Sequence, residues 1–497
     1  MSQRISSLPN LNDAALIKVH AYVDGSWSDG DIGKFSVFNP ADGGRLVDVA
    51  NCGPRDAQRA IEAALRASAP WRARTAKDRA AILRRWFDLI RANAEDLARL
   101  MTAEQGKPLA EARAEVAYGA SFVEWFAEEA KRVYGDTIPT FSADRRILVL
   151  KEPIGVCAAI TPWNFPIAMI TRKVSPALAV GCPVLVKPAE QTPLSALALA
   201  ELASRAGFPP GVLNVLPADS DQSINIGRLL CDSAAIRKLS FTGSTPVGRI
   251  LMQQSAPTLK RLSLELGGNA PFVVFEDADI EAAVDGAIQS KYRNSGQTCI
   301  CTNRFFVANA IYDEFVDKLA LRAAQLKVGS GFEAGVMQGP LIDEAALAKV
   351  EAHVADALAK GGRIVTGGQR HALGGTFYEP TVIADATRDM SLAREETFGP
   401  VAPVFRFDHE DEAVAAANGV ESGLAAYFYS RDVGRVLRVA EALEFGMVGI
   451  NTGMISTEVA PFGGVKQSGF GREGSSYGVD DYLVTKYVCI GGVTAQE

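Results

Sequence analysis

In the stretch Ser-Gly-Gln-Thr-Cys-Ile-Cys-Thr-Asn, a thiol at Cys299 follows a glycine turn. A cysteine so placed is a nucleophile if its surroundings favour the thiolate, and inert packing if they do not. Peptidase-type chemistry would need a histidine base, and none of the four histidines lies within fifty residues of Cys299. Glu265, in Leu-Glu-Leu-Gly-Gly, is another candidate base. It reads as a strand-end carboxylate that either activates a water or does nothing beyond facing solvent. Cys301, two residues beyond Cys299, is either a small packing residue or the partner in a strained, reversible disulfide.

Three further segments carry phosphate- or ribose-binding chemistry. Phe-Thr-Gly-Ser-Thr-Pro-Val-Gly turns from a strand through Gly243 and Ser244 into a helix with Pro246 near its start, where free N–H groups could hold a pyrophosphate. Its Gly248 is followed by Arg249 and Ile250, which excludes a Walker-type triphosphate loop. Val-Leu-Val-Lys-Pro-Ala-Glu sets Lys187 and Glu190 just past a strand end, as a ribose grip or a solvated ion pair. Gly469, Gly471 and Gly474 match a dinucleotide fingerprint, but too little chain follows for a βαβ unit, so they read as a turn.

The elements that must hold these residues read as α/β. From Ala57 to Arg132 the apolar residues recur every three or four positions, predicting amphipathic surface helices. Then come short apolar strands, Val156–Ile160, Val184–Lys187, Val212–Leu216 and Ile236–Phe241, with a helix opening at Thr192–Pro193 and closing at Gly207. That is a doubly wound, dinucleotide-binding layout. A second α/β series starts with Leu-Ser-Leu-Glu-Leu-Gly-Gly and Pro-Phe-Val-Val-Phe and runs to about Gly449. The strand-like segments 145–152 and 480–490 fit neither core and should pair with something, such as another subunit.

Composition narrows the class. At 497 residues the chain should hold more than one domain, and 48% apolar with 22% charged residues is ordinary globular composition. The formal charge of −7 comes without blocks of like charge, which disfavours nucleic acid and anionic membrane as partners. No apolar run approaches a membrane span, and the first residues lack a signal-peptide pattern, so the expected location is cytoplasmic. The seven cysteines read as reduced thiols, and the scattered histidines give no metal-ligand spacing, so no metal is expected.

Taken in order, Ile-Thr-Pro-Trp-Asn-Phe-Pro, Val-Lys-Pro-Ala-Glu, Phe-Thr-Gly-Ser, Leu-Glu-Leu-Gly-Gly, Gly-Gln-Thr-Cys, Glu-Glu-Thr-Phe-Gly-Pro and Pro-Phe-Gly-Gly-Val-Lys-Gln-Ser-Gly, spread over residues 160–469, resemble the aldehyde dehydrogenase superfamily. The resemblance implies a Rossmann-type NAD(P)-binding domain (15–135 and 153–265), an α/β catalytic domain (266–460) and a small β oligomerisation arm (136–152 and 470–493). It implies Cys299 as the nucleophile that forms a thiohemiacetal, Asn164 and the Cys299 N–H as oxyanion donors, and Glu265 as activator of the water that hydrolyses the thioester. Trp163, Gly243 and Ser244 are implied at the pyrophosphate, Lys187 and Glu190 at the adenosine ribose, and Glu396 and Phe398 at the nicotinamide. A carboxylate at Glu190 accepts from a 2′-hydroxyl and repels a 2′-phosphate, favouring NAD, while Lys187 beside it leaves NADP open.

Within the superfamily the chain is most similar to the succinate-semialdehyde branch, through Ser-Lys-Tyr-Arg-Asn-Ser-Gly-Gln-Thr-Cys and Gly-Arg-Glu-Gly-Ser-Ser-Tyr-Gly among other segments. That resemblance implies Arg172, Arg293 and Ser456 as the grip on a substrate's remote carboxylate. For Arg293 alone, a cation ending a helix is also a purely structural choice. Glutarate semialdehyde is a close alternative, because one methylene changes binding by only about 1–3 kcal/mol. A CoA-acylating enzyme and a catalytically dead binding protein are the readings from other classes. The arm-like strands imply a homodimer or homotetramer.

Overall fold

The computed structural model describes residues 6–493, and its centre is an eight-stranded sheet. Five parallel strands form its middle, in the spatial order Leu213–Val215, Val184–Lys187, Val156–Ile160, Ile236–Thr242 and Arg261–Glu265. Numbered along the chain this is 3-2-1-4-5, so the winding direction reverses between Val156–Ile160 and Ile236–Thr242. Ligands of such sheets bind beyond the carboxyl ends of the two strands at that reversal. The Arg261–Glu265 strand, expected at the head of the second series, pairs here with Ile236–Thr242, its Glu265 opposite Thr242.

Alternate residues of each central strand bury on opposite faces. Cys157 and Ala159 join one core, while Val156 and Ala158 join the other. Such two-sided burial explains why these strands read as continuous apolar runs. The second sheet has seven strands, of which only Arg363–Thr366 runs antiparallel to its neighbour. Its inner strand Ala270–Val274 also feeds two cores, Phe272 and Val274 on one face and Val273 on the other.

The helical region differs from the surface helices expected. It comprises α1 (Pro54–Ala73), α2 (Ala76–Ala92), α3 (Ala94–Gln105) and α4 (Leu109–Glu129). The second and third read as one periodic run but break at Asn93, whose side chain caps the Leu89 carbonyl at 2.8 Å. α4 is largely internal because it packs on α2 and on α5 (Ala168–Val180), all thirteen residues of which are buried. Gly119 permits the approach of α4 to α5, since a Cβ there would stand 2.7 Å from Ile167 Cγ2. Apolar periodicity alone could not distinguish a helix with one covered face from one covered on several sides.

The segments 145–152 and 480–490 pair with each other. Arg146–Pro153 and Leu483–Ile490 form an antiparallel ribbon from Leu483 opposite Pro153 to Ile490 opposite Arg146, with Asp136–Ile138 as a third strand. Each satisfies the other's ladder, so neither needs a second chain for its inner edge. The Gly469–Phe470 strand instead borders the first sheet, and the glycines at 469, 471 and 474 all have positive φ and open no helix of a βαβ unit. At Gly469 a Cβ would fall 1.9 Å from the Leu264 carbonyl oxygen. No helix among the described residues is long and apolar enough to cross a membrane.

Candidate active site

The loops after the two strands at the winding reversal, Thr161–Asn164 and Gly243–Ser244, face residues of the second sheet's loops across a cavity of about 530 Å³. Trp163, Asn164, Gly243, Ser244, Cys299, Glu396 and Phe398 all line it. A second, much smaller space of about 20 Å³ also touches Cys299, and Arg172, Arg293 and Ser456 line that one. Cys299 is thus the residue shared by a large cavity and a small one.

The chain bearing Cys299 is fixed from several sides. α9 (Ile280–Tyr292) ends in a short turn, Arg293–Gly296, where Asn294 and Ser295 adopt left-handed φ of 50° and 54°. Glu111 accepts from the Asn294 N–H at 2.7 Å, and Gln105 donates to its side-chain oxygen at 3.1 Å. Two consecutive non-glycine residues in that region cost about 1–3 kcal/mol each, which these bonds offset. Burial pushes the Cys299 thiol up to about 12, against the pull of Arg172. At neutral pH the resting group is therefore the protonated thiol.

Asn164 is anchored by its backbone, which leaves its amide free to act. Its carbonyl accepts from Lys107 Nζ at 2.7 Å and from Asn294 Nδ2 at 3.1 Å, while its own Nδ2 donates to the Gln297 carbonyl at 3.1 Å. An amide nitrogen carries two hydrogens, so one donor remains for the cavity. Lys107 is itself buried against Glu115 at 2.5 Å.

Glu265 ends its strand 2% exposed, and neither carboxylate oxygen has a hydrogen-bond partner. Burial and the nearby charge of Glu473 push its pKa well above the carboxylate range, opposed by Arg172 and Lys173. Glu473 behaves oppositely: burial works against its charge, but ion pairs with Arg172 and Lys173 prevail and hold its pKa down. Two neighbouring carboxyl groups are thus driven in opposite directions, Glu265 toward its neutral form and Glu473 toward its ionised one.

Arg172 leaves α5 beneath the small cavity, stacked over Phe462 at 4.2 Å and paired with Glu473, while its Nη2 has no hydrogen-bond partner. Arg293 lies 5.2 Å over the Phe165 ring and reaches only the Met454 sulfur, at 3.8 Å. Among the described residues no carboxylate pairs with it. Glu396 accepts from the Gly268 N–H at 3.2 Å, and burial pushes it up to about 7. Phe398, at φ 56°, meets Trp163 edge-to-face at 5.6 Å.

Lys187 and Glu190 stand apart from this cavity. Lys187 pairs with Ile160 one strand over and contacts Glu190 at 3.6 Å, and Glu190 lines a neighbouring groove with Asp219 and Ser220. Cys301 is buried with its thiol 3.1 Å from the Lys291 carbonyl, and it lines neither space at Cys299. That arrangement fits the packing role. His353 likewise lines neither, contacting Thr397 at 3.1 Å and Glu395 at 3.4 Å.

Several contributors were missed from sequence: Lys107 and Glu115 behind Asn164, Lys349 on the wall of the large cavity, and Lys173 with Glu473 beside Glu265. One signal was available, since Arg172 and Lys173 are adjacent charges inside the otherwise apolar α5.

The large cavity suits a dinucleotide on its own terms. Ser244 caps α8 (Thr245–Ser255) without a side-chain hydrogen bond, leaving helix N–H groups for a phosphate, and Trp163 and Phe398 give apolar walls for a flat ring.

A family model described as the aldehyde dehydrogenase family matches residues 27–488. The chain is 61% identical to a 3-sulfolactaldehyde dehydrogenase of Pseudomonas putida, covering 97% of this chain and 99% of that one. It is 60% identical to a glutarate-semialdehyde dehydrogenase of Pseudomonas aeruginosa, covering 97% and 100%. With the NADP(+) succinate-semialdehyde dehydrogenase of Escherichia coli it shares 58%, over 97% and 99%. The crystal structure of a succinate-semialdehyde dehydrogenase from Burkholderia pseudomallei superposes with a TM-score of 0.96 at 64% identity, over 97% and 100%.

Proposed function

The chain belongs to the aldehyde dehydrogenase family, and from that premise we propose that it oxidises succinate semialdehyde to succinate with NAD or NADP as hydride acceptor. The observation that carries the substrate is the Arg293 guanidinium, which shares the small space at Cys299 with Arg172 and has no carboxylate partner among the described residues. A half-buried cation without an ion-pair partner is matched by an anionic substrate. The four-carbon semialdehyde is supported by the similarity to succinate-semialdehyde dehydrogenases.

In the reaction the Cys299 thiol releases its proton to solvent as its sulfur bonds the aldehyde carbon, and the oxyanion that develops on the former carbonyl oxygen receives the free N–H of Asn164. A nicotinamide bound in the large cavity would supply the hydride acceptor, and the acyl group would then remain on Cys299 as a thioester. Glu265 takes a proton from the water that attacks this thioester, the carbon–sulfur bond breaks, and the thiol is restored. Because burial raises the Glu265 pKa, its base form gains with rising pH, and so does deacylation. Trp163, Gly243, Ser244, Glu396 and Phe398 hold the dinucleotide at its pyrophosphate and nicotinamide ends. Lys187 and Glu190 hold the adenosine ribose from the adjoining groove, and Ser456 joins the two arginines at the substrate carboxylate.

We assign 15–135 and 153–265 to cofactor binding, 266–460 to catalysis, and 136–152 with 470–493 to an arm that joins subunits in a homodimer or homotetramer. Exposed Leu150, Tyr487 and Ile490 on the ribbon support that last role. The test of the function is a kinetic matrix of succinate semialdehyde, glutarate semialdehyde and butanal against NAD and NADP. The account predicts the highest kcat/KM for succinate semialdehyde, and equal values for the two semialdehydes would overturn the named substrate.

A further inference from the structure

α4 delivers to the small cavity a side chain that the reaction above leaves unused. Tyr118 lines this space beside Arg172, Arg293, Ser456 and Cys299. Its ring packs edge-on against Phe122 at 4.9 Å, and its buried hydroxyl lies beside the Arg172 guanidinium, from which it can accept, with no acceptor for its own hydrogen. Arg172 Nη2, in the same cavity, is the other buried donor without one. An unpaired buried hydroxyl carries its full desolvation penalty, and two such donors converging from α4 and α5 on one cavity point to a ligand that accepts from both. The adjacent Gly119 is what lets the two helices approach this closely.

The charge balance favours the same conclusion. Arg172 is the nearest strong charge to the phenol, yet it already serves Glu473, so its attraction for a further anion is shared. A neutral hydroxyl adds a directed hydrogen bond without adding charge to a crowded, buried site.

We propose that Tyr118 is a specificity-determining residue whose hydroxyl donates to the remote carboxylate of the substrate alongside Arg172 Nη2. The inference rests on the reading of this cavity as a carboxylate site. It makes the anion the recognised feature: an aldehyde of the same length without the carboxylate gains nothing from the phenol.

The test is Tyr118→Phe, which keeps the ring on Phe122 and removes only the oxygen. Its kcat/KM for succinate semialdehyde should fall about 10- to 100-fold, while that for butanal stays within about twofold of the wild-type value. Inhibition by succinate should weaken by a similar factor, a readout independent of turnover. A variant that unfolds at the wild-type temperature and keeps the wild-type kcat/KM for succinate semialdehyde overturns the proposal, as do equal losses on both aldehydes. The wild-type enzyme alone tests the underlying reading: if it uses butanal as well as succinate semialdehyde, the carboxylate site itself is wrong and the proposal falls with it.

Discussion

Replacing Glu265 by glutamine should separate the two halves of the reaction. The side chain is 2% exposed and both its oxygens are unpartnered, so the isosteric amide breaks no hydrogen bond. Positioned general bases contribute about 100- to 10,000-fold, and that is the expected loss in the steady-state rate. Acylation should persist, because Glu265 makes no hydrogen bond to the Cys299 thiol and the amide takes nothing from the oxyanion donors. In stopped flow the variant should therefore release one NADH per active site at about the wild-type rate and then nearly stop. Stability gives a second check. The folded-state pKa of Glu265 is raised, so in the wild type stability falls as pH climbs above the unfolded carboxylate range. The amide has nothing to ionise, so the variant should melt no lower than wild type, with an advantage that grows with pH. A steady-state rate within about threefold of wild type would refute the assignment, and so would a burst that disappears together with turnover.

Other perturbations address the remaining parts. Arg293→Met keeps an apolar side chain over Phe165 and removes the charge, so kcat/KM should fall about 10- to 150-fold for succinate semialdehyde and hardly change for butanal. Similar losses on both aldehydes would show the arginine to be structural. Glu190→Gln removes the carboxylate that repels a 2′-phosphate and should raise the NADP to NAD ratio of kcat/KM about tenfold; an unchanged ratio would remove Glu190 from the ribose site. With the thiol of Cys299 pushed up to about 12, its alkylation by iodoacetamide should quicken roughly tenfold per unit between about pH 7 and about pH 9. A plateau inside that window would mean that the thiolate is already stabilised in the free enzyme.

The parallel strands were legible because burial on both faces writes unbroken apolar runs: Val156–Ile160 and Val184–Lys187 carry the expected bounds to the residue. The same holds for the helix from Pro193 to Ala206, with its Pro start and Gly207 stop. What stayed hidden is whatever depends on tertiary neighbours. Asn93 interrupts a periodic helical run that no local rule forbids. Residues 145–152 and 480–490 lie far apart in sequence, so their mutual pairing left no trace in either stretch. At the site, Trp163, Asn164, Gly243, Ser244, Glu396 and Phe398 line one space at Cys299 and Arg172, Arg293 and Ser456 the other, while Glu265 lines neither and Glu190 lies in the next groove with Lys187 buried beside it. The charges that tune them were invisible for a different reason. Nothing local in the sequence sets Glu473 beside Glu265, and only folding buries it with Arg172 and Lys173, where desolvation and ion pairing push the two carboxyl groups apart.

The central claim is that the Cys299 sulfur carries the acyl group between oxidation and hydrolysis. Glu265→Gln, mixed with NAD and succinate semialdehyde and quenched in acid, should gain the mass of one succinyl group, located by peptide mapping at Cys299 and absent from a Cys299→Ala form. A quenched enzyme of unchanged mass that has nevertheless produced NADH, or a succinyl group found on another residue, would contradict the account.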